Sequence, residues 1–546
     1  MVNEIKNEQQ SGIAVNQLGY RREDRKTAIF SGWTGRFRLV QDSSGEAVWE
    51  GESGASAADE ASGQSLSRGD FSAWTQPGVY RIEREDGHAS EPFEISDSVY
   101  GEAQRAMLKA FYYFRCGMEL EEEYAGPWKH AACHLAPASV HGEPHRKIDA
   151  CGGWHDAGDY GKYVVPGAKA AADLLLAFEC YPASFSQPLP LPESGAGMPD
   201  VLHECRYELD WMLRMQNEDG GAFHKLTTKQ FPGPDVMPEA DTSDLFLSPV
   251  SAAATGCFAA VMALAARIYK TYDANYASKC LQAAERAWQW LEAHPEVPGF
   301  RNPSDIATGE YGDAQDKDER YWAAAELYRT TGEARYHEAL RHFANLGIFD
   351  LYELGWADMG GYGTLAYLFS GRDKDPALAD RLKAGLRQRA DELAAVSSRD
   401  GYGISLRPDQ YIWGSNMLVM NHAMLMLAAG RLLETDVYQS HVEQHVHYLF
   451  GANVMAISYV SGLGTHSILH PHHRPSYGDG VDEPVPGLVS GGPNKGIQDE
   501  YARSHLAGRA PAASFADVME SYATNEVAIY WNSPAVFVLS SMLPNT

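Results

Sequence analysis

Hydrophobic periodicity changes once along this chain, near residue 98, and the change restricts the folds open to it. Residues 12–17, 26–30, 36–40, 47–49, 78–82 and 92–95 form short runs in which apolar and polar side chains alternate, separated by glycines and serines. A period of two places alternate side chains on opposite faces of a strand, so these runs predict an antiparallel sandwich of immunoglobulin type. Beyond Ser98 apolar residues recur every three or four positions, as on one face of a helix. The pattern predicts helices over 100–119, 168–180, 201–215, 251–272, 278–294, 318–330, 333–344, 377–395, 415–435 and 437–449. Such a run of helical hairpins, without a tight sequence repeat, predicts a closed toroid of paired helices. The expected organisation is a β-sandwich domain at 1–98 and an all-α domain at 99–546.

Charge narrows the partners. With 45 basic against 73 acidic residues the net charge is −28, which repels nucleic acid and anionic membranes. A neutral polysaccharide is compatible with that surface, and a cationic one such as chitosan stays open. The first ten residues have neither an apolar core nor a small-residue cleavage site, so no secretory signal is read there. The alanine-rich stretch 250–265 reads as too short to span a bilayer. Seven cysteines, an odd number without a spaced framework, suggest a reducing compartment. A cytoplasmic monomer meeting soluble oligosaccharides is expected, or a secreted protein if an altered start has replaced a signal.

The chemistry concentrates in two acidic clusters set among aromatic residues. Asp156 and Asp159 lie within Trp154-His155-Asp156-Ala157-Gly158-Asp159-Tyr160, and Glu526 follows Tyr522 and precedes Tyr530 and Trp531. Cleaving a glycosidic bond takes two carboxyl groups in different protonation states, and aromatic rings stack on pyranose faces. An acidic pair by itself is most often a solvated surface feature, and Asp156 could instead cap a helix starting near Gly161.

Three motifs in order carry a resemblance. Phe515-x-Asp517-x4-Tyr522-x3-Glu526-x-Ala528-x3-Asn532-Ser533 resembles the acid-bearing signature of glycoside hydrolase family 9, the inverting cellulase family. Gly153 to Gly161 resembles its base motif. Ser458-Tyr459-Val460-Ser461 through Gly464 to Pro471-His472-His473-Arg474 resembles its substrate-binding histidine motif, and Val15 to Tyr20 resembles the opening of the Ig-like module that precedes many of its catalytic domains.

The resemblance implies an (α/α)6 barrel that hydrolyses β-1,4 bonds of a glucan or cello-oligosaccharide. It implies Asp159 as general base, Asp156 as a holder of the attacking water, and Glu526 as general acid. It also implies His472 and Arg474 as sugar contacts, with Tyr522 and Trp531 as sugar platforms. His466 departs from the Asn, Lys or Arg usual at its place, which either alters a contact near the glycone or aglycone sugar or is neutral loop variation, and puts the exact substrate in doubt but not the class. An exo-acting glucosidase or glucosaminidase and a silent carbohydrate-binding protein are the competing readings. Retention of Asp156, Asp159 and Glu526 argues against the binder.

Two further groups are candidate metal ligands. Cys116, Cys133, His134 and His155 offer the donors of a closed tetrahedral zinc site, although their spacing is too loose for a zinc finger. Taken bare, they read first as core thiols and scattered histidines; the resemblance to relatives with the Ig-like module that hold zinc at matching positions implies the metal. Asp313, Asp316, Asp318 and Glu319 cluster around Gly312 without EF-hand spacing. The resemblance implies calcium at Asp313, Asp318 and Glu319, completed by Asp358, against the alternative of a solvated acidic loop.

Overall fold

The structure, a computed structural model, describes residues 12–544, so the reading of the first ten residues lies outside it. Nine strands open the described chain: β1 (Ile13–Ala14), β2 (Gly19–Tyr20), β3 (Thr27–Ser31), β4 (Arg36–Gln41), β5 (Ala47–Glu52), β6 (Ala57–Asp59), β7 (Gln64–Asp70), β8 (Gly78–Arg84) and β9 (Phe93–Ile95). They form two sheets, ordered β1-β3-β7-β6 and β2-β9-β8-β4-β5. Phe30, Phe37, Leu39, Tyr80, Ile82 and Phe93 fill the space between them. β6 and β7 escaped the sequence reading because their residues are mostly small or polar. β7 is held as a strand by its full register against β3, from Thr27↔Asp70 to Ser31↔Leu66.

Twelve helices of ten residues or more follow: α1 (Gly101–Tyr113), α2 (Val164–Cys180), α3 (Asp200–Arg214), α4 (Ala252–Tyr269), α5 (Ala274–Ala293), α6 (Lys317–Thr331), α7 (Ala334–Ala344), α8 (Gly360–Phe369), α9 (Pro376–Arg399), α10 (Ser415–Leu433), α11 (Gln439–Leu449) and α12 (Ile529–Met542). The even-numbered helices touch in sequence, and α12 returns to α2, so they close an inner ring; the odd-numbered helices pack around it. This is the (α/α)6 arrangement.

Sequence explains the two layers. Nearly every residue of α4 is buried, as a helix walled in on all sides requires. α9 buries only Leu378, Leu382, Leu386, Ala390, Leu393 and their neighbours on one stripe. α4 also corrects an expectation: it has the eighteen residues and mean hydropathy of 1.5 that could cross a membrane, yet 94% of it is buried inside the ring. It is a core helix.

Two inner helices were not predicted. α8 opens with Gly360-Gly361-Tyr362-Gly363, and α12 contains Pro534. Those glycines answer to packing rather than propensity: a Cβ on Gly361 would lie 2.3 Å from the Glu353 carbonyl oxygen, and one on Gly363 would lie 2.5 Å from the Tyr321 ring. At the ring's centre the Asp173 carboxylate accepts from Lys169 at 2.8 Å, Tyr362 at 2.6 Å and Ser533 at 2.7 Å, which ties α2, α8 and α12 together. A buried charge held this way is compensated.

The sandwich is joined to the helical part along a polar seam. The Gln17 amide donates to Phe450, the Gly401 amide to Asp59, and Arg21 pairs with Glu443 at 3.2 Å.

Candidate active site

A cleft of about 680 Å³ opens where the segments ahead of α2, α6, α8, α10 and α12 converge. Its lining therefore comes from the N-terminal ends of inner helices, and three main-chain contacts stitch the three sequence motifs into one surface. Ala157 pairs with Ala528, His472 pairs with Glu526, and the Ile529 amide donates to the Asp156 carbonyl at 2.9 Å. Gly158 sits at the tightest point. A Cβ there would lie 1.8 Å from the His472 carbonyl oxygen. The Gly158 carbonyl in turn accepts from the Arg474 amide at 3.1 Å and its guanidinium at 3.0 Å.

The cleft brings Asp156, Asp159 and Glu526 together in unlike surroundings. Asp156 caps no helix, since α2 begins only at Val164 without a side-chain cap. Its carboxylate accepts from the Tyr311 hydroxyl at 2.6 Å. Burial pushes the Asp156 carboxyl well above its ordinary range, with Asp159 adding to the effect and Tyr311 opposing it.

Burial also raises Asp159, but the Arg474 guanidinium, the Gly161 amide at 2.6 Å and the Lys225 ammonium all favour its ionised form. Glu526 has the opposite company. Burial pushes it well above the ordinary carboxyl range, and Asp159 and Asp156 raise it further, against Arg474 and a hydrogen bond from Trp413. Two carboxyl groups thus face one cavity, one attended mainly by cations and the other by anions.

His472 donates from Nδ1 to the Met519 carbonyl at 2.6 Å, which fixes the ring, and burial lowers its pKa. Arg474 lies over the Phe231 ring at 5.5 Å and donates to the Pro232 carbonyl. Tyr522 is 36% exposed and meets Trp413 at a ring separation of 5.2 Å. Trp531, expected as a platform, lines the cleft but is only 2% exposed. The cleft aromatics not found from sequence are Trp413, Trp356, Tyr311 and Phe231. Each precedes or begins a helix or lies in a connecting loop, where nothing in the local pattern separates a lining ring from a core ring.

His466 is outside this cavity. It pairs with Glu91 of the sandwich at 3.1 Å, and its amide donates to Gln17, so its departure from the motif bears on the seam between the two parts. Asp517 is a brace: its carboxylate accepts from the amides of Leu469 and His470 and from Asn525, the neighbour of Glu526.

The two candidate metal groups assemble. One ligand atom from each of Cys116, Cys133, His134 and His155 falls within 4.8 Å of all the others, as do atoms of Asp313, Asp318 and Glu319. Orphaned donors mark both places. His155 Nε2 and both Glu319 carboxylate oxygens are buried with no hydrogen-bond partner. Behind the first group Asp241 faces His134 Nε2 at 3.6 Å. Asp316 is drawn away by Arg320 at 2.8 Å. Asp358, expected to complete the second group, lies outside that 4.8 Å set but near enough for its charge to raise Asp318; its oxygens accept from the Asp350 and Gly360 amides.

Comparison with known proteins places both parts of the chain. Residues 100–539 match the family described as Glycosyl hydrolase family 9, and residues 8–88 match the cellulase N-terminal Ig-like domain. A cellodextrinase of Butyrivibrio fibrisolvens is 38% identical over 97% of this chain and 99% of its own length. A crystal structure of a single mutant of a thermostable endoglucanase from Alicyclobacillus acidocaldarius superposes with a TM-score of 0.93 at 42% identity, covering 98% of this chain and all of that one. A Zn-binding triple mutant of a family 9 endoglucanase superposes at 0.91 and 36% identity, over 96% of this chain and all of that one.

Proposed function

Because the chain belongs to glycosyl hydrolase family 9, we propose that its cleft hydrolyses β-1,4-glucosidic bonds with inversion, as an endo-β-1,4-glucanase acting on soluble glucan or cello-oligosaccharides. The observation that carries the reading is the unequal company of two carboxyl groups in one cavity. Asp159, beside Arg474 and Lys225, stays ionised as the base. Glu526, buried next to two other carboxyls, keeps its proton near neutral pH as the acid. Environments that push two titratable groups apart assign the roles.

Asp156, held by Tyr311, orients the attacking water that Asp159 deprotonates. Glu526 protonates the departing sugar oxygen from the other side. His472 and Arg474 contact the sugar, and Tyr522 with Trp413 stacks on a pyranose face. A cavity of about 680 Å³ suits a few sugar rings, within the ~300–1,000 Å³ of sites that enclose small ligands. The cellodextrinase relative supports short soluble chains as substrate. NMR of the first product from a β-linked cello-oligosaccharide should show the α-anomer; a β-anomer at early times would overturn the assignment.

The donor set Cys116, Cys133, His134 and His155 fits a closed zinc site, and the Zn-binding relative supports that metal. The metal would serve structurally, anchoring the loop in which His155 immediately precedes Asp156. Metal analysis should find about one zinc per chain, as expected of a four-ligand structural site. Cys133→Ser should lower Tm and activity together; unchanged values in both, with no zinc found, would return these residues to the core. Asp313, Asp318 and Glu319 fit calcium by their hard oxygen donors. The protein acts as a monomer, a sandwich over 1–98 bracing a catalytic domain over 99–546. Seven free cysteines suit a reducing compartment.

A further inference from the structure

Lys225 is fully buried on the strand Lys225–Thr227, directly opposite Tyr163 of the strand that leads out of the Asp156–Asp159 loop. Its ammonium donates to the Gly309 carbonyl at 2.6 Å and to Thr308 Oγ1 at 3.1 Å. The residues beside it grip the same segment. His224 Nε2 donates to the Glu310 carbonyl at 3.0 Å, and Thr227 Oγ1 meets Thr308 Oγ1 at 2.7 Å. The next residue, Tyr311, stands at φ +45° and extends its hydroxyl to Asp156. A bulky residue in the left-handed region persists only where its surroundings hold it, and such positions cluster at functional sites.

The oxygens that Lys225 touches are neutral, and a neutral donor would satisfy them. A buried ammonium needs a counter-charge as well. Among the groups that face it, Tyr163 is uncharged and Glu310 is already engaged by Arg301 at 2.8 Å and the Asn302 amide at 2.9 Å. Asp159 is the larger of the two remaining counter-charges: it lines the same cleft wall as Thr308 and Gly309, which Lys225 grips, although Arg474 acts on it more strongly. Burial lowers the Lys225 pKa to about 8, with Asp159 and then Glu310 opposing.

We propose that Lys225 is a positioning residue for hydrolysis: it holds the 308–310 segment so that Tyr311 reaches Asp156, and it sets a second buried positive charge, beside that of Arg474, on the Asp159 side of the cleft. The proposal rests on Asp159 being the base. Lys225→Gln keeps a hydrogen-bond donor and loses the charge. It should shift the acid limb of the kcat/KM profile upward by about one pH unit, the low end of what a neighbouring opposite charge does. Lys225→Arg should keep the limb near its original place. An unshifted limb in folded Lys225→Gln would overturn the proposal and leave Lys225 a simple brace.

The reciprocal measurement does not depend on Lys225 variants folding. In Asp159→Asn the Lys225 ammonium loses its counter-charge, so its pKa, followed by NMR of 15N-labelled lysine, should fall below that of the unmodified enzyme. An unchanged value would overturn the proposal. Full activity in Asp159→Asn would instead remove Asp159 from the mechanism, a separate failure.

Discussion

Glu526→Gln should cut turnover of a natural β-1,4-glucan by about 10²–10⁴-fold, the usual contribution of a positioned proton donor. The same variant should keep most of its activity on an aryl glycoside whose phenol departs without protonation. Asp159→Asn should lose both activities, because water must be deprotonated whatever leaves. The pH profiles carry the same distinction with definite signs. In the proposed roles Asp159 works ionised, so rate should rise as pH climbs through its raised pKa; Glu526 works protonated, so rate should fall as pH passes above its own. Glu526→Gln should therefore erase the basic limb alone. Equal losses of both variants on both substrates would contradict the assignment.

Gly158→Ala should be nearly as damaging, although it touches no proton. The added methyl would meet the His472 carbonyl oxygen at 1.8 Å, and a main-chain atom cannot step aside as a side chain can. Either the base loop or the histidine segment must move, and a shift of about 1 Å at a reacting centre costs about 100-fold in rate. The Arg474 contacts to the Gly158 carbonyl would be strained together with it. Overpacking of this kind also costs about 1–3 kcal/mol of stability. Steady-state kinetics with a thermal melt would test it: a folded Gly158→Ala with unchanged kcat would mean the motifs do not need this contact.

How much of this was legible in the sequence depends on where the information lies. The outer helices announce themselves because half of each faces water, as in α9. The missed α8 and α12 are inner helices whose glycines and proline contradict helix propensity; close packing against Glu353 and Tyr321 outweighs the intrinsic cost of about 1 kcal/mol per glycine. Similarly, β7 exists through pairing with β3 and has almost no apolar pattern of its own. That Asp156, Asp159 and Glu526 share one cleft was readable because they stand in motifs with fixed neighbours. Trp413 and Tyr311 were not, since a ring in a loop becomes a lining residue only when distant segments converge on it. The same limit explains His466, which the motif places near sugar and the fold places against Glu91.

The closed ring also has a temporal side. Asp159 and Glu526, the proposed base and acid, stand at the two ends of the helical portion, and they meet only because α12 returns to α2, where Ser533 reaches Asp173 across 360 residues of sequence. Contacts of that separation form late, after the loop entropy of everything between has been overcome. A nascent or partly refolded chain can hold most of its helices, and even its sandwich, while possessing half of a catalytic pair. Hydrolytic competence in this architecture is therefore all-or-none in folding time, acquired at the single event that joins the last helix to the first of the inner circle.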